Sequence, residues 1–83
     1  MTESEFRQWL KTAKPRERFA YHEGHLRVDR KRSAELDALA DRIYMAAKKR
    51  WVLLTQERND DGTFLYFVTR ASYHFITPAV KAA

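Results

Sequence analysis

The chain has 83 residues, which is room for one domain, 1–83, and for no second one. It has no cysteine, which excludes disulfides, thiolate metal sites and thiol nucleophiles and favours a reducing, cytoplasmic setting. The net charge is +5, the opening Thr2-Glu3-Ser4-Glu5 is acidic where a signal peptide would be basic and then apolar, and no apolar run nears the ~20 residues of a membrane span.

The first predicted element is a helix. Thr2 caps it, Glu5 completes a capping box, and Phe6, Trp9, Leu10 and Ala13 share one face. Pro15 ends it, because the residue before a proline is pushed out of helical geometry. Residues 1–3 are expected to fray. Arg18–His22 alternates as a half-buried strand through Phe19 and Tyr21, and Glu23-Gly24 reads as a turn. His25–Val28 is expected to be an extended lead into the next helix, with a short second strand as the alternative.

A second helix follows. Ser33 suits its N-cap, Glu35 and Asp37 occupy its first turn, and Leu36, Leu39, Ala40, Ile43 and Ala47 form its apolar stripe. Lys48, Lys49 and Arg50 complement the negative end of its dipole. The final third reads as a hairpin. Trp51–Gln56 is one strand, Asn59-Asp60-Asp61-Gly62-Thr63 is turn chemistry, and Phe64–Thr69 returns. Tyr73, Phe75 and Ile76 extend that strand or fold back over it, and 78–83 is expected to fray. The fold class is therefore α+β, with two main helices and a small antiparallel sheet ending in a β-hairpin.

No catalytic constellation emerges. His22-Glu23-Gly24-His25 lacks the four-residue helical spacing of zinc proteases, so no metal is expected, and any third ligand would have to come from His74 or a distant carboxylate. Asp60 and Asp61 sit where turns favour aspartate for backbone reasons. Ser4, Ser33 and Ser72 lie in no nucleophile-elbow pattern, and two glycines make no phosphate-cradling loop. We therefore expect a binding protein, with no cofactor, rather than an enzyme.

The basic residues group as Lys11, Lys14, Arg16 and Arg18, then Arg27, Arg30, Lys31 and Arg32, then Lys48, Lys49 and Arg50. A helix ending Ala46-Ala47-Lys48-Lys49-Arg50, followed by strand, turn and strand, resembles the recognition helix and wing of winged-helix DNA-binding domains. The resemblance covers roughly residues 4 to 70 and rests on the element pattern. It implies that double-stranded DNA is the partner. Arg42, Lys48, Lys49 and Arg50 would then be helix-side contacts and Arg58 and Arg70 wing-side contacts, with Arg30, Lys31 and Arg32 as further phosphate contacts. The chain departs from that family in two ways. Only Val28–Arg32 is available for the family's additional helix, and the wing tip carries Asp60 and Asp61.

Phe6-x-x-Trp9-Leu10-x-x-Ala13-x-Pro15, then Tyr21-His22-x-Gly24-x-Leu26-x-x-Asp29-Arg30, is similar to a group of small, largely uncharacterised phage and prophage proteins. Gln56-x-Arg58 and Phe64-x-Tyr66 fit the same group. That similarity implies a phage-encoded regulator, or a protein acting on a host protein, and assigns no residue a role. Each basic group also has a plainer explanation: Lys48–Arg50 complementing a helix end, Arg58 and Arg70 forming a cross-strand pair, Arg30–Arg32 lying in a solvated loop. The apolar surplus of Trp51–Ile76 suits instead a host-protein interface or a homodimer. The DNA reading requires Lys48–Arg50 and Arg58 to converge in one cationic ridge.

Overall fold

Helix α1 spans Glu3–Thr12, strand β1 Arg18–Gly24, helix α2 Leu26–Asp29, helix α3 Ala34–Lys48, and strands β2 and β3 Val52–Arg58 and Phe64–Arg70, in a computed structural model that describes residues 1–71. Ser72, Tyr73, His74, Phe75, Ile76 and the segment from Pro78 onward lie outside the described residues. Over the described residues the fold is α+β, three helices with α1 and α3 the main ones, and a three-stranded antiparallel sheet in the order β1-β3-β2. None of the described helices is long and apolar enough to cross a membrane.

Local chemistry sets the helix boundaries. The Thr2 hydroxyl accepts from the Glu5 N–H at 3.1 Å, and the Glu5 carboxylate accepts from the Thr2 N–H at 2.7 Å. This reciprocal box satisfies two donors that a helix start leaves open. Ser33 Oγ caps α3 by accepting from the Leu36 N–H at 3.1 Å. The segment after Gly24 is not extended. Leu26–Asp29 makes one helical turn, fastened by the Asp29 carboxylate, which accepts from the His25 N–H at 3.0 Å and bonds the His22 ring at 2.8 Å. These bonds hold the Asp29 carboxyl below the ordinary carboxylate range, the His22 contact contributing most.

The helices cover one face of the sheet. Phe6 of α1, Leu39, Ile43 and Ala46 of α3, Val52 of β2 and Val68 of β3 form the buried core, with Trp9, Leu10, Phe19, Tyr21, Leu36 and Ala47 packed around it. Fully burying a side chain the size of Phe6, Leu39, Ile43, Val52 or Val68 contributes about 1.5–3 kcal/mol. Ala46 takes the buried place that the sequence pattern gives to Ala47. A bulge between Ala20 and His22 breaks the alternation of β1. It lets two consecutive side chains work on the helix side, Tyr21 against the core and His22 against α2. On the opposite face the Arg18 guanidinium lies 4.0 Å from the centre of the Phe67 ring and reaches Glu57 of β2 at 3.7 Å.

Strand order decides where the ends of the elements meet. Because β1 and β2 each pair antiparallel with β3, they run parallel to each other. Arg18 pairs with Thr69 and Val52 with Arg70, so both strands start at the same edge of the molecule. The chain leaving α1 and the chain leaving α3 therefore arrive at one place. The hairpin tip lies at the other end.

Candidate nucleic-acid interface

Two helix-to-strand junctions bring together the largest group of basic residues among the described residues. At the first, Pro15 and Arg16 occupy the centre of a turn closed by the Glu17 N–H donating to the Lys14 carbonyl at 3.0 Å. Arg16 has a φ of 73°, in the left-handed region. This is the third position of a proline-led turn, where a positive φ favours glycine. Glu17 fixes the turn to α1, its carboxylate accepting from the Lys14 N–H and from the Trp9 indole N–H, each at 3.1 Å.

At the second junction α3 ends in a Schellman motif. The Arg50 N–H donates to the Ala47 carbonyl at 2.9 Å and the Trp51 N–H to the Ala46 carbonyl at 3.0 Å. Arg50, with φ 65°, stands at the left-handed residue of that motif, which is usually glycine. Among the described residues Arg16 and Arg50 are the non-glycine residues with positive φ, and each stands at one of these junctions. The end of β3 stitches the junctions together. The Arg16 N–H donates to the Arg70 carbonyl at 2.8 Å, and the Arg70 guanidinium donates to the Trp51 carbonyl at 2.7 Å.

The result is a basic pole. Lys11, Lys14 and Arg16 lie at the end of α1, Lys48, Lys49 and Arg50 at the end of α3, and Arg70 between them, with Glu17 the carboxylate in their midst. The negative ends of both helix dipoles lie here, which favours cations in the last turns. Lys11, Lys14, Arg16, Lys48, Lys49 and Arg50 are all exposed. The Lys49 ammonium sits 4.7 Å from the centre of the Trp51 ring, and the Lys48 ammonium 5.7 Å from that of Tyr44.

The single ridge required of Lys48–Arg50 and Arg58 does not form. Arg58 pairs with Phe64 beside the hairpin tip, at the far end of β2 from Val52. Six residue steps of strand separate them, roughly 20 Å. The same register rules out a cross-strand pair between Arg58 and Arg70, since Arg70 lies opposite Val52. Arg42 is engaged by Glu3 at 2.7 Å. Arg30 is held by Asp37 at 2.6 Å and by Asp41 at 2.5 Å, which raises its already high pKa and neutralises its charge locally. Lys31 and Arg32 are exposed in the turn before α3, away from the pole. Of the residues expected to contact DNA, the structure brings together Lys48, Lys49, Arg50 and Arg70.

The hairpin tip has the opposite character. Asp60 and Asp61 are exposed, and the Asp61 carboxylate accepts from the Thr63 hydroxyl at 2.6 Å and from its N–H at 3.0 Å. Those bonds hold the Asp61 carboxyl below its ordinary range, so it carries full negative charge at neutral pH. Asn59 adds Glu23 to this end through a 3.0 Å bond. At the start of α3 Glu35 is exposed, while Asp37 and Asp41 are paired with Arg30.

Sequence reasoning assigned no contact to Arg7, Lys11 or Arg16; the fold lines one groove with Arg7, Lys11 and Lys49 and ties Arg16 to the Trp51 junction through Arg70. The available signal was that Lys11–Arg16 and Lys48–Arg50 both precede a strand. No family model, curated protein or solved structure matches the chain.

Proposed function

We propose that this protein is a non-catalytic, winged-helix-like module that binds double-stranded DNA through its basic pole. The observation that carries the proposal is the pair of left-handed arginines. A left-handed backbone costs an L-residue about 1–2 kcal/mol, and glycine avoids that cost. Both positions keep a guanidinium instead, and both face solvent at the pole. Residues held in sparsely populated backbone regions recur at ligand clamps and switch sites, which makes these two arginines candidates for a binding role. The order helix, strand, two helices and hairpin supports the winged-helix-like reading, α2 supplying the additional helix as a single turn. Docking by helix and wing together is lost, because Lys48–Arg50 and Arg58 do not converge, and the reading rests instead on Lys11–Arg16 meeting Lys48–Arg50 at the pole. The acidic tip at Asp60 and Asp61 repels phosphates, so the pole makes the contacts and the tip points away. In this reading Lys11, Arg16, Lys48, Lys49 and Arg50 neutralise phosphates, with little reading of base sequence.

Neutralising about five phosphates gives a log–log salt slope near −4.5. A labelled duplex of about 20 base pairs, titrated by fluorescence anisotropy, should lose roughly 500-fold in affinity between about 50 and 200 mM salt. Absence of saturable binding below about 10 μM protein at the lower salt refutes the proposal.

A second reading has its own support. β2 is an edge strand with Leu53 and Leu54 exposed, a surface suited to a host protein or to a second copy of the chain. Sedimentation equilibrium of the free protein tests the homodimer, and a monomer up to 100-micromolar concentrations removes it.

A further inference from the structure

Inside the pole, α1 and α3 leave a groove that phosphate binding does not explain. The helices run side by side in the same direction, with Glu3 against Arg42 at one end. Toward the pole the space between them is floored by Leu10, Met45, Ala46 and Trp51 and rimmed by Arg7, Lys11, Arg42 and Lys49. Its volume is ≈ 290 Å³. Met45 is 48% exposed and Trp51 38%, so large apolar surface stands in water within a ring of cations. A DNA backbone calls for the cations and has no use for the floor. We infer that this groove takes an acidic, amphipathic segment of a protein partner, with apolar side chains on the floor and carboxylates against the rim.

Charge complementarity supports this occupant. Among the described residues no carboxylate lines the groove, Glu3 pairs with Arg42 at one end of it, and Arg7, Lys11 and Lys49 stand exposed along the rest. The shape suits helix-in-groove recognition, in which one apolar stripe is buried and its flanks are read by charge. An unstacked nucleobase fits less well. The Lys49 ammonium already lies over the Trp51 ring, and Leu10, Met45 and Ala46 offer no second aromatic plane. The segment would cover part of the surface proposed for DNA, so the two ligands exclude each other.

The test uses the full chain and a fluorescein-labelled peptide of about fourteen residues, about four helical turns, with Leu and Phe on one face and Glu elsewhere. Controls are a peptide of the same composition with the apolar face scrambled, and an oligothymidylate. At physiological salt the patterned peptide should bind at least about tenfold more tightly than the scrambled one. Met45→Gln removes apolar floor at an exposed site without changing charge. It should weaken the patterned peptide about tenfold and leave duplex DNA affinity unchanged. Lys49→Gln should weaken both ligands. Equal binding of the two peptides, an unaffected Met45→Gln variant, or oligothymidylate binding tighter than the patterned peptide each overturns the inference. Peptide failure with duplex binding intact sinks the groove alone, and the reverse sinks the DNA reading alone.

Discussion

Replacing Arg16 and Arg50 by glycine should make the protein more stable and a weaker DNA binder, and both effects can be sized from the fold. Each residue sits at a φ where an L-side chain costs about 1–2 kcal/mol, against which glycine adds roughly 0.5–1 kcal/mol of unfolded-state entropy. The net gain is about 0.5–1 kcal/mol per site. Neither substitution removes a backbone bond, since the Arg16 N–H to Arg70 and the Arg50 N–H to Ala47 both persist in glycine. At about 4–8 °C per kcal/mol for a domain of this size, Arg16→Gly with Arg50→Gly should raise Tm by roughly 4–16 °C. The same change deletes two phosphate contacts. Each contributes about 0.9 to the salt slope, so the slope falls by about 1.8 and affinity at 0.1 M salt by roughly 60-fold. Thermal melts followed by circular dichroism read the first effect and duplex anisotropy the second. A double variant that melts lower than the parent refutes the strain argument. One that binds duplex as tightly as the parent refutes the role given to these arginines.

Other expectations follow from single features. Neutralising Lys31, Arg32 and Arg58 to glutamine should leave the duplex salt slope unchanged, whereas Lys11→Gln with Lys48→Gln should lower it by about 1.8. Gly24→Ala should destabilise strongly. The added carbon would meet Asp29 Oδ2 at 2.5 Å at a φ of 137°, and the lost protection should appear in hydrogen exchange of α2 and the end of β1. The Asp29 and Asp61 carboxyls titrate lower in the folded state than in the unfolded chain, so their contributions are present above the ordinary carboxylate pKa and lost as pH falls through the lowered values. The stability that these two groups contribute should decline below about pH 4, and Asp29→Asn should flatten that acid limb. Phe6→Ala, at a side chain with no exposure, should cost about 3–5 kcal/mol in urea unfolding.

Local features were legible from residue types. Thr2 with Glu5, Ser33 with its acidic first turn, and the Asn59–Thr63 turn each rely on neighbours in sequence, and each stands where its chemistry requires. Helix α2 was not legible, because a single turn has no periodicity and its fastening comes from His22 of the preceding strand. The buried place of Ala46 depends on how α3 meets Val52 and Val68, which its own stripe does not specify. The pole depends on strand order. Only when β3 inserts between β1 and β2 do Lys11–Arg16 and Lys48–Arg50 meet, and no local pattern reports that insertion. Arg58 illustrates the converse, close in sequence to the second basic junction and a strand's length away in space.

That insertion also orders events during synthesis. The middle strand of the sheet is the last of the three to be translated, so on the ribosome β1 and β2 emerge with no partner between them. Neither Val68, the contribution of β3 to the core, nor Arg70, which ties Trp51 and Arg16 together, exists until translation has passed them. The nascent chain can form capped helices early, but it acquires its tertiary structure in one late step, and a product truncated within β3 should be prey for proteases.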